Sequence, residues 1–191
     1  FTITINDINE APVITSASSA SFAENSTSTV ITITSDDVDS DNVTYGISGT
    51  DEDDFNINSI SGDLTFKTAP NYESPTDSDT NREYVVIITA TDDGSGNLTD
   101  TQTLTITVTD VNEAPTDISL SSESVYENES SGTTVGALSS TDVDAGDSHT
   151  YTLESGGADN SSFQISGSTL QTNALFDFET KSSYSILIQT E

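Results

Sequence analysis

The chain has no cysteine, no methionine and no tryptophan, one histidine, and only three Lys or Arg residues among 191. Without cysteine there is no disulfide to staple a small domain, no thiol nucleophile and no thiolate metal ligand. Zero cysteine is compatible with any compartment and fits an exported bacterial protein. A single histidine leaves a His-based catalytic triad or a zinc site almost nothing to work with. Against three cations stand 33 Asp and Glu residues, for a formal net charge of −30. A surface of that sign repels nucleic acid and anionic membranes, because both are polyanions. No apolar run reaches the roughly 18 residues that a membrane-spanning helix needs, and no signal-like segment opens the chain. Helical periodicity is nearly absent.

What is present is β-pattern. Phe1–Ile5, Val30–Thr34, Tyr84–Ile88 and Leu104–Val108 are β-branched runs, mostly alternating, and a disordered acidic tail would lack them. Strands are predicted at 12–16 with 20–23, then 28–34, 42–48, 54–58, 63–67, 82–91 and 100–109. Turn residues separate them, as in an immunoglobulin-like sandwich. Ser61-Gly62-Asp63 reads as one turn and Asp92–Asn97 as the hairpin before the last strand.

The pattern then repeats. Asp7-Ile-Asn-Glu-Ala-Pro12 returns as Asp110-Val-Asn-Glu-Ala-Pro115 about a hundred residues later, which is near the usual domain size. Ala23-Glu24-Asn25 returns as Tyr126-Glu127-Asn128, and Asp37-Val38-Asp39 as Asp142-Val143-Asp144. The expected organisation is a last strand of a preceding repeat with its linker (1–12), a repeat (13–109), a linker (110–115) and a second repeat lacking its last strand (116–191). The chain opens and closes inside strand patterns, so it is expected to be a window on a longer array. Strand 1–5 then either belongs to that array or completes the open sheet of another chain by strand addition.

Carboxylates cluster at these joints. Calcium takes six to eight oxygen ligands, more than one short segment supplies, whereas a joint can draw on one repeat, the linker and the next repeat. Around Asp110 these are Glu24 and Glu73, then Asp110, Asn112 and Glu113, then Asp142 and Asp144. The alternation in Asp142-Val143-Asp144 places both carboxylates on one face of an extended segment.

With Asn71-Tyr72-Glu73, Asp177-Phe178-Glu179 and Ala90-Thr91-Asp92 added, in this order, the chain resembles tandem cadherin repeats of bacterial surface proteins. The resemblance implies an all-β fold of tandem immunoglobulin-like Greek-key sandwiches and about three calcium ions per complete joint. It implies Glu24, Asn71 and Glu73 on the ions nearer the first repeat. Asp110, Glu113 and the Val111 carbonyl would bridge from the linker, and Asp142, Asp144 and Asn112 would hold the outer ion. Asp7, Asn9, Glu10, Asp37, Asp39 and Asp92 would form half of an earlier joint; Glu127, Asp177 and Glu179 would serve a later one. Asn71 stands where the family usually has Asp, and Glu113-Ala114 replaces Asp-Asn.

The expected function is therefore a calcium-stiffened stalk segment of an extracellular, secreted or cell-surface adhesin or filament, and not an enzyme. Its partners would be adjacent repeats of the same chain. The rivals are a recognition module for glycan or another cadherin-like chain, with homotypic or filament contacts, and a subunit polymerising through residues 1–6. Lack of tryptophan excludes adhesion by insertion of an N-terminal Trp. A glycosidase acid–base pair has little support, since the acids sit in repeated linker motifs. His149 is expected in a loop or at a strand edge; Tyr45, Tyr84, Tyr151 and Tyr184 in cores; Lys67, Arg82 and Lys181 in surface or local pairing. Asp51–Asp54 and Asp77–Asp79 read as solvated loops, and the Asn-x-Ser/Thr triplets at Asn25, Asn42, Asn97, Asn128 and Asn160 as chance matches.

Overall fold

The structure is a computed structural model that describes residues 1–191. The chain divides into two compact units, Phe1–Val111 and Asn112–Glu191. Both are all-β, with single 3-10 turns at Glu52–Asp54 and Asn160–Ser162 and no α-helix. No helix is long and apolar enough to cross a membrane.

The first unit contains β1 (Val13–Ile14), β2 (Ser19–Ala23), β3 (Thr29–Thr32), β4 (Ser35–Asp36), β5 (Thr44–Ser48), β6 (Phe55–Ile57), β7 (Asp63–Phe66), β8 (Glu83–Thr91) and β9 (Thr99–Thr109). One sheet runs β2-β9-β8-β5 and the other β3-β7-β6; β1 pairs with β4. The ladders are antiparallel except β2 with β9, which is parallel from Ser19↔Thr105 to Ala23↔Thr109. Seven expected strand regions are thus present as an immunoglobulin-like sandwich, most of them trimmed at their ends.

The pleat explains the core. Alternate residues of a strand face opposite sides, and Tyr84, Val86, Ile88 and Ala90 of β8 are all buried beside Leu104, Ile106 and Val108 of β9. The intervening positions of β9 are threonines, which combine strand propensity with a polar outer face. Across the core, Phe66 lies 4.3 Å from Phe55 and meets Tyr84 edge-on at 5.0 Å, ring centre to ring centre. Tyr45 is only half-buried; its hydroxyl bonds Ser35 Oγ at 2.9 Å.

The second unit has β10 (Asp117–Leu120), β11 (Thr134–Thr141), β12 (Tyr151–Leu153), β13 (Phe163–Ser166), β14 (Thr169–Thr172) and β15 (Ile188–Thr190). One sheet is β10-β11-β14-β13; the other holds only β12 and β15. Tyr151 repeats the Tyr45 contact, accepting from Ser140 Oγ at 3.1 Å. The buried core is smaller: Val135, Leu138, Leu170, Phe176 and the shielded Thr172. No strand occupies the position that β9 has in the first unit.

One expected strand does not form. Phe1–Ile5 is exposed and pairs with nothing, since a strand pattern without a neighbouring ladder leaves its backbone to water. Ser124–Asn128, which aligns with β2 and the residues after it, is likewise not a strand. In the first unit β2 is held by its parallel ladder to β9, and the second unit offers no such partner.

Candidate metal centre

Glu24 is the organising residue of the first unit's linker end. It follows β2, and its own N–H donates to Thr109 O at 3.1 Å, so the parallel ladder carries it to the end of β9. Asn25 then turns the chain with φ +61°, a left-handed conformation that Asn tolerates better than most residues. The Asn25 N–H donates to Pro70 O. The Glu24 carboxylate, 3% exposed, thereby faces inward and accepts from Tyr72 N at 2.8 Å and Val111 N at 2.9 Å. One oxygen each of Glu24, Glu73 and Asp110 lie within 4.8 Å of one another. Three carboxylates at that range repel strongly unless a cation neutralises them. Asn71 Oδ1 accepts from Ser74 N and caps the turn that presents Glu73.

The second unit repeats this device at its far end. Asn128 has φ +60°, its N–H donates to Phe176 O, and Phe178 N donates to Glu127 Oε2 at 2.9 Å. Asp177 occupies the position of Asn71 and accepts from Glu179 N and Thr180 Oγ1; the Thr180 bond chiefly holds its carboxyl below the ordinary range. Oxygens of Glu127, Asp177 and Glu179 also converge within 4.8 Å, all on exposed residues.

The opposite ends of the units share a second arrangement. In the first, Glu10 N donates to Asp39 Oδ2 at 2.7 Å and Asp39 N to Asp37 Oδ1 at 2.9 Å. In the second, Glu113 N donates to Asp144 Oδ2 at 2.6 Å and Asp144 N to Asp142 Oδ1 at 3.2 Å. Each linker glutamate is thus tied through its backbone to the second Asp of the Asp-x-Asp pair, which leaves carboxylate oxygens turned inward. Asp144 is 8% exposed, and its Oδ1 is buried with no hydrogen-bond partner. Asp37 Oδ2 is the same. A buried carboxylate oxygen without a donor is costly, and a divalent cation is the partner that suits it. Asn112 Nδ2 bonds Glu113 O. Asp7 is exposed and makes its mark through charge: with Asp39, which acts most strongly, and Asp37, it pushes the Glu10 carboxyl up.

The first unit's arrangement is the fuller one. Asp92, buried, accepts from Gly94 N, Leu98 N and Asn9 Nδ2. Asp41 joins Asp37 and Asp39 in one carboxylate group within 4.8 Å. Only Asp37 and Asp39 were selected from the sequence, although the same alternation runs on to Asp41. In the second unit, His149 Nε2 lies 3.8 Å from Asp142 Oδ2, so the lone histidine borders the acidic pair.

Away from the joints, two readings need correction. Asp51 and Asp77 are buried, not solvated. Asp51 accepts from Ser78 N and Val85 N, clamping the loop before β8; Asp77 accepts from Asn81 N and Arg82 N. Asp159 plays the part of Asp51, taking Ser185 N while pairing with Lys181. The signal was the shared Asp-x-x-x-Phe spacing of Asp51–Phe55 and Asp159–Phe163. Arg82 is held locally, its guanidinium 4.3 Å from the Tyr72 ring centre.

The fold and the paired acidic ends define a cadherin-like sandwich. Residues 18–109 match the family model of the cadherin domain, a class of extracellular module that generally binds calcium. Among curated proteins, Protocadherin Fat 4 of Mus musculus is 32% identical over 148 residues, 75% of this chain, and that of Homo sapiens 33% over 153 residues. The chain spans 3% of the length of each. Among solved structures, human Protocadherin-24 EC1-2 matches with a TM-score of 0.71 at 20% identity, covering 96% of this chain and 87% of that one. Drosophila N-cadherin EC1-4 matches at 0.67 with 24% identity, over 95% and 45%. At these identities the structural likeness establishes the fold alone.

Proposed function

We propose that this chain is a calcium-binding stalk segment of a longer extracellular protein, its repeats at 13–109 and 116–191 joined by the linker 110–115, with 1–12 serving an earlier joint. The observation that carries the proposal is the recurrence, in both units, of inward-turned carboxylates, including the partnerless oxygens of Asp37 and Asp144. That arrangement is unfavourable without a cation and favourable with one.

At the Asp110 joint, Glu24, Asn71, Glu73, Asp110 and the Val111 carbonyl would serve from one side, and Asn112, Glu113, Asp142 and Asp144 from the other. Asp7, Asn9, Glu10, Asp37, Asp39 and Asp92 would serve the earlier joint, and Glu127, Asp177 and Glu179 a later one. Calcium would supply charge neutralisation and shared coordination across residues distant in sequence. The chain's own part is positioning. Glu24 is oriented by two backbone N–H groups, and Asp39 and Asp144 by the linker glutamate amides. Extracellular calcium modules bind at about 10⁻⁴–10⁻³ M, so at millimolar calcium each site adds on the order of 1 kcal/mol. Several sites acting together would make a joint rigid.

The cadherin match supports an extracellular adhesion role, and the absence of cysteine supports a bacterial source. The test is a thermal melt with small-angle scattering in calcium and in chelator. Calcium is expected to raise the melting temperature and lengthen the particle; unchanged melting and shape would overturn the proposal.

A further inference from the structure

We propose that Asp41 is an additional carboxylate ligand at the first unit's Asp37–Asp39 site, and that it makes this the tightest calcium site in the chain. The inference rests on the calcium reading above and concerns only residues of the first unit.

Three observations place Asp41 there. Its carboxylate groups with those of Asp37 and Asp39 within 4.8 Å. A methyl group at Gly94 would overlap both Asn9 Oδ1 and Asp41 Oδ2, so these two oxygens converge on the open side of that glycine. The backbone of Gly94 is meanwhile tied to Asp92, its N–H donating to Asp92 Oδ1 at 3.2 Å. The loop itself is pinned: Asn42 N and Nδ2 donate to Asp93 at 2.8 and 2.9 Å, which fixes the residue next to Asp41 against the β8–β9 turn. Asp37, Asp39 and Asp41 therefore converge, the Asn9 amide oxygen lies beside Asp41, and Asp92 borders the set through its bonds to Asn9 Nδ2 and Gly94 N. Asp37, a member of this group, carries the partnerless Oδ2.

The second unit lacks this feature. Its loop from Asp144 to Tyr151 is one residue longer than that from Asp39 to Tyr45. Asp147 is exposed, and an imidazole borders Asp142 instead of a third carboxylate. Calcium affinity rises with the number of charged ligands in a pre-shaped site, so the two otherwise similar ends should differ in strength.

The experiment is calorimetric calcium titration of the full chain, with melts in calcium and in chelator, for the parent, Asp41→Asn and Asp147→Asn. The strongest binding class is expected to weaken about tenfold in Asp41→Asn, with one charged ligand fewer, and to stay unchanged in Asp147→Asn. In chelator Asp41→Asn should melt no lower than the parent, because removing a like charge relieves repulsion; in calcium it should melt lower. Unchanged affinity in Asp41→Asn, or equal loss of melting temperature with and without calcium, overturns the assignment while leaving the calcium reading intact. A parent chain that binds no calcium overturns both.

Discussion

Glu24 is the residue where stability and site chemistry meet. Its buried carboxylate satisfies the amides of Tyr72 and Val111 while offering oxygen to a group that contains Glu73 and Asp110. Replacing it with alanine would leave two amides without their acceptor, at roughly 1–3 kcal/mol for each that stays buried. Glu24→Ala should therefore lower first-unit stability by about 2–3 kcal/mol in chelator as well as in calcium, measured by denaturant unfolding. Asp41 differs in kind, because its expected loss of stability appears only in calcium. Both follow short local motifs, yet only Glu24 stood out in the sequence. Asp51 went unrecognised because its partners, Ser78 N and Val85 N, lie far along the chain. Asp77 bonds the nearby Asn81 N and Arg82 N, but hydrophilic composition reads the same in a solvated loop and in a buried clamp.

Among the elements, β8 and β9 carry the first unit. Their nine-residue ladder runs from Glu83↔Thr107 to Thr91↔Thr99, and its inner face is core. Tyr84 adds a tether: its hydroxyl accepts from Thr76 N at 3.2 Å, fixing the polar segment before β8. Tyr84→Phe keeps the ring contacts with Phe55 and Phe66 and removes that acceptor. It should cost about 1 kcal/mol and speed hydrogen exchange around Thr76 while leaving β9 protected. The long strands were legible because alternation is a local signal. β2 was legible too, but its partnership was not: a parallel ladder to β9 joins residues more than eighty positions apart. The failure of Ser124–Asn128 to form a strand makes the same point, since strand propensity needs a neighbour to pair with.

For the whole molecule, the governing quantity is a net charge of −30. Self-repulsion disfavours the compact state, and part of this charge is gathered in carboxylate groups such as that of Glu24, Glu73 and Asp110 and that of Asp37, Asp39 and Asp41. Monovalent salt should then raise the melting temperature of the chelated protein by screening, and should raise it much less once calcium is bound. Calorimetry at low and high salt, with and without calcium, checks this; a salt effect of equal size in both would mean that the repulsion resides on the general surface.

By itself, the sequence determined the sandwich class and the recurrence of acidic motifs along the chain, because alternation, turn chemistry and repeated motifs are properties of neighbouring residues. Tertiary structure alone decided which segments pair, that Asp41 joins Asp37 and Asp39, that Asp51 and Asp77 are buried, and that His149 borders Asp142. Strand pairing and the burial of Asp51 depend on contacts between distant parts of the chain. Asp41, Asp77 and His149 instead meet partners only a few residues away, through loop conformations that a residue pattern does not specify. In both cases burial and the fate of each backbone amide are settled together.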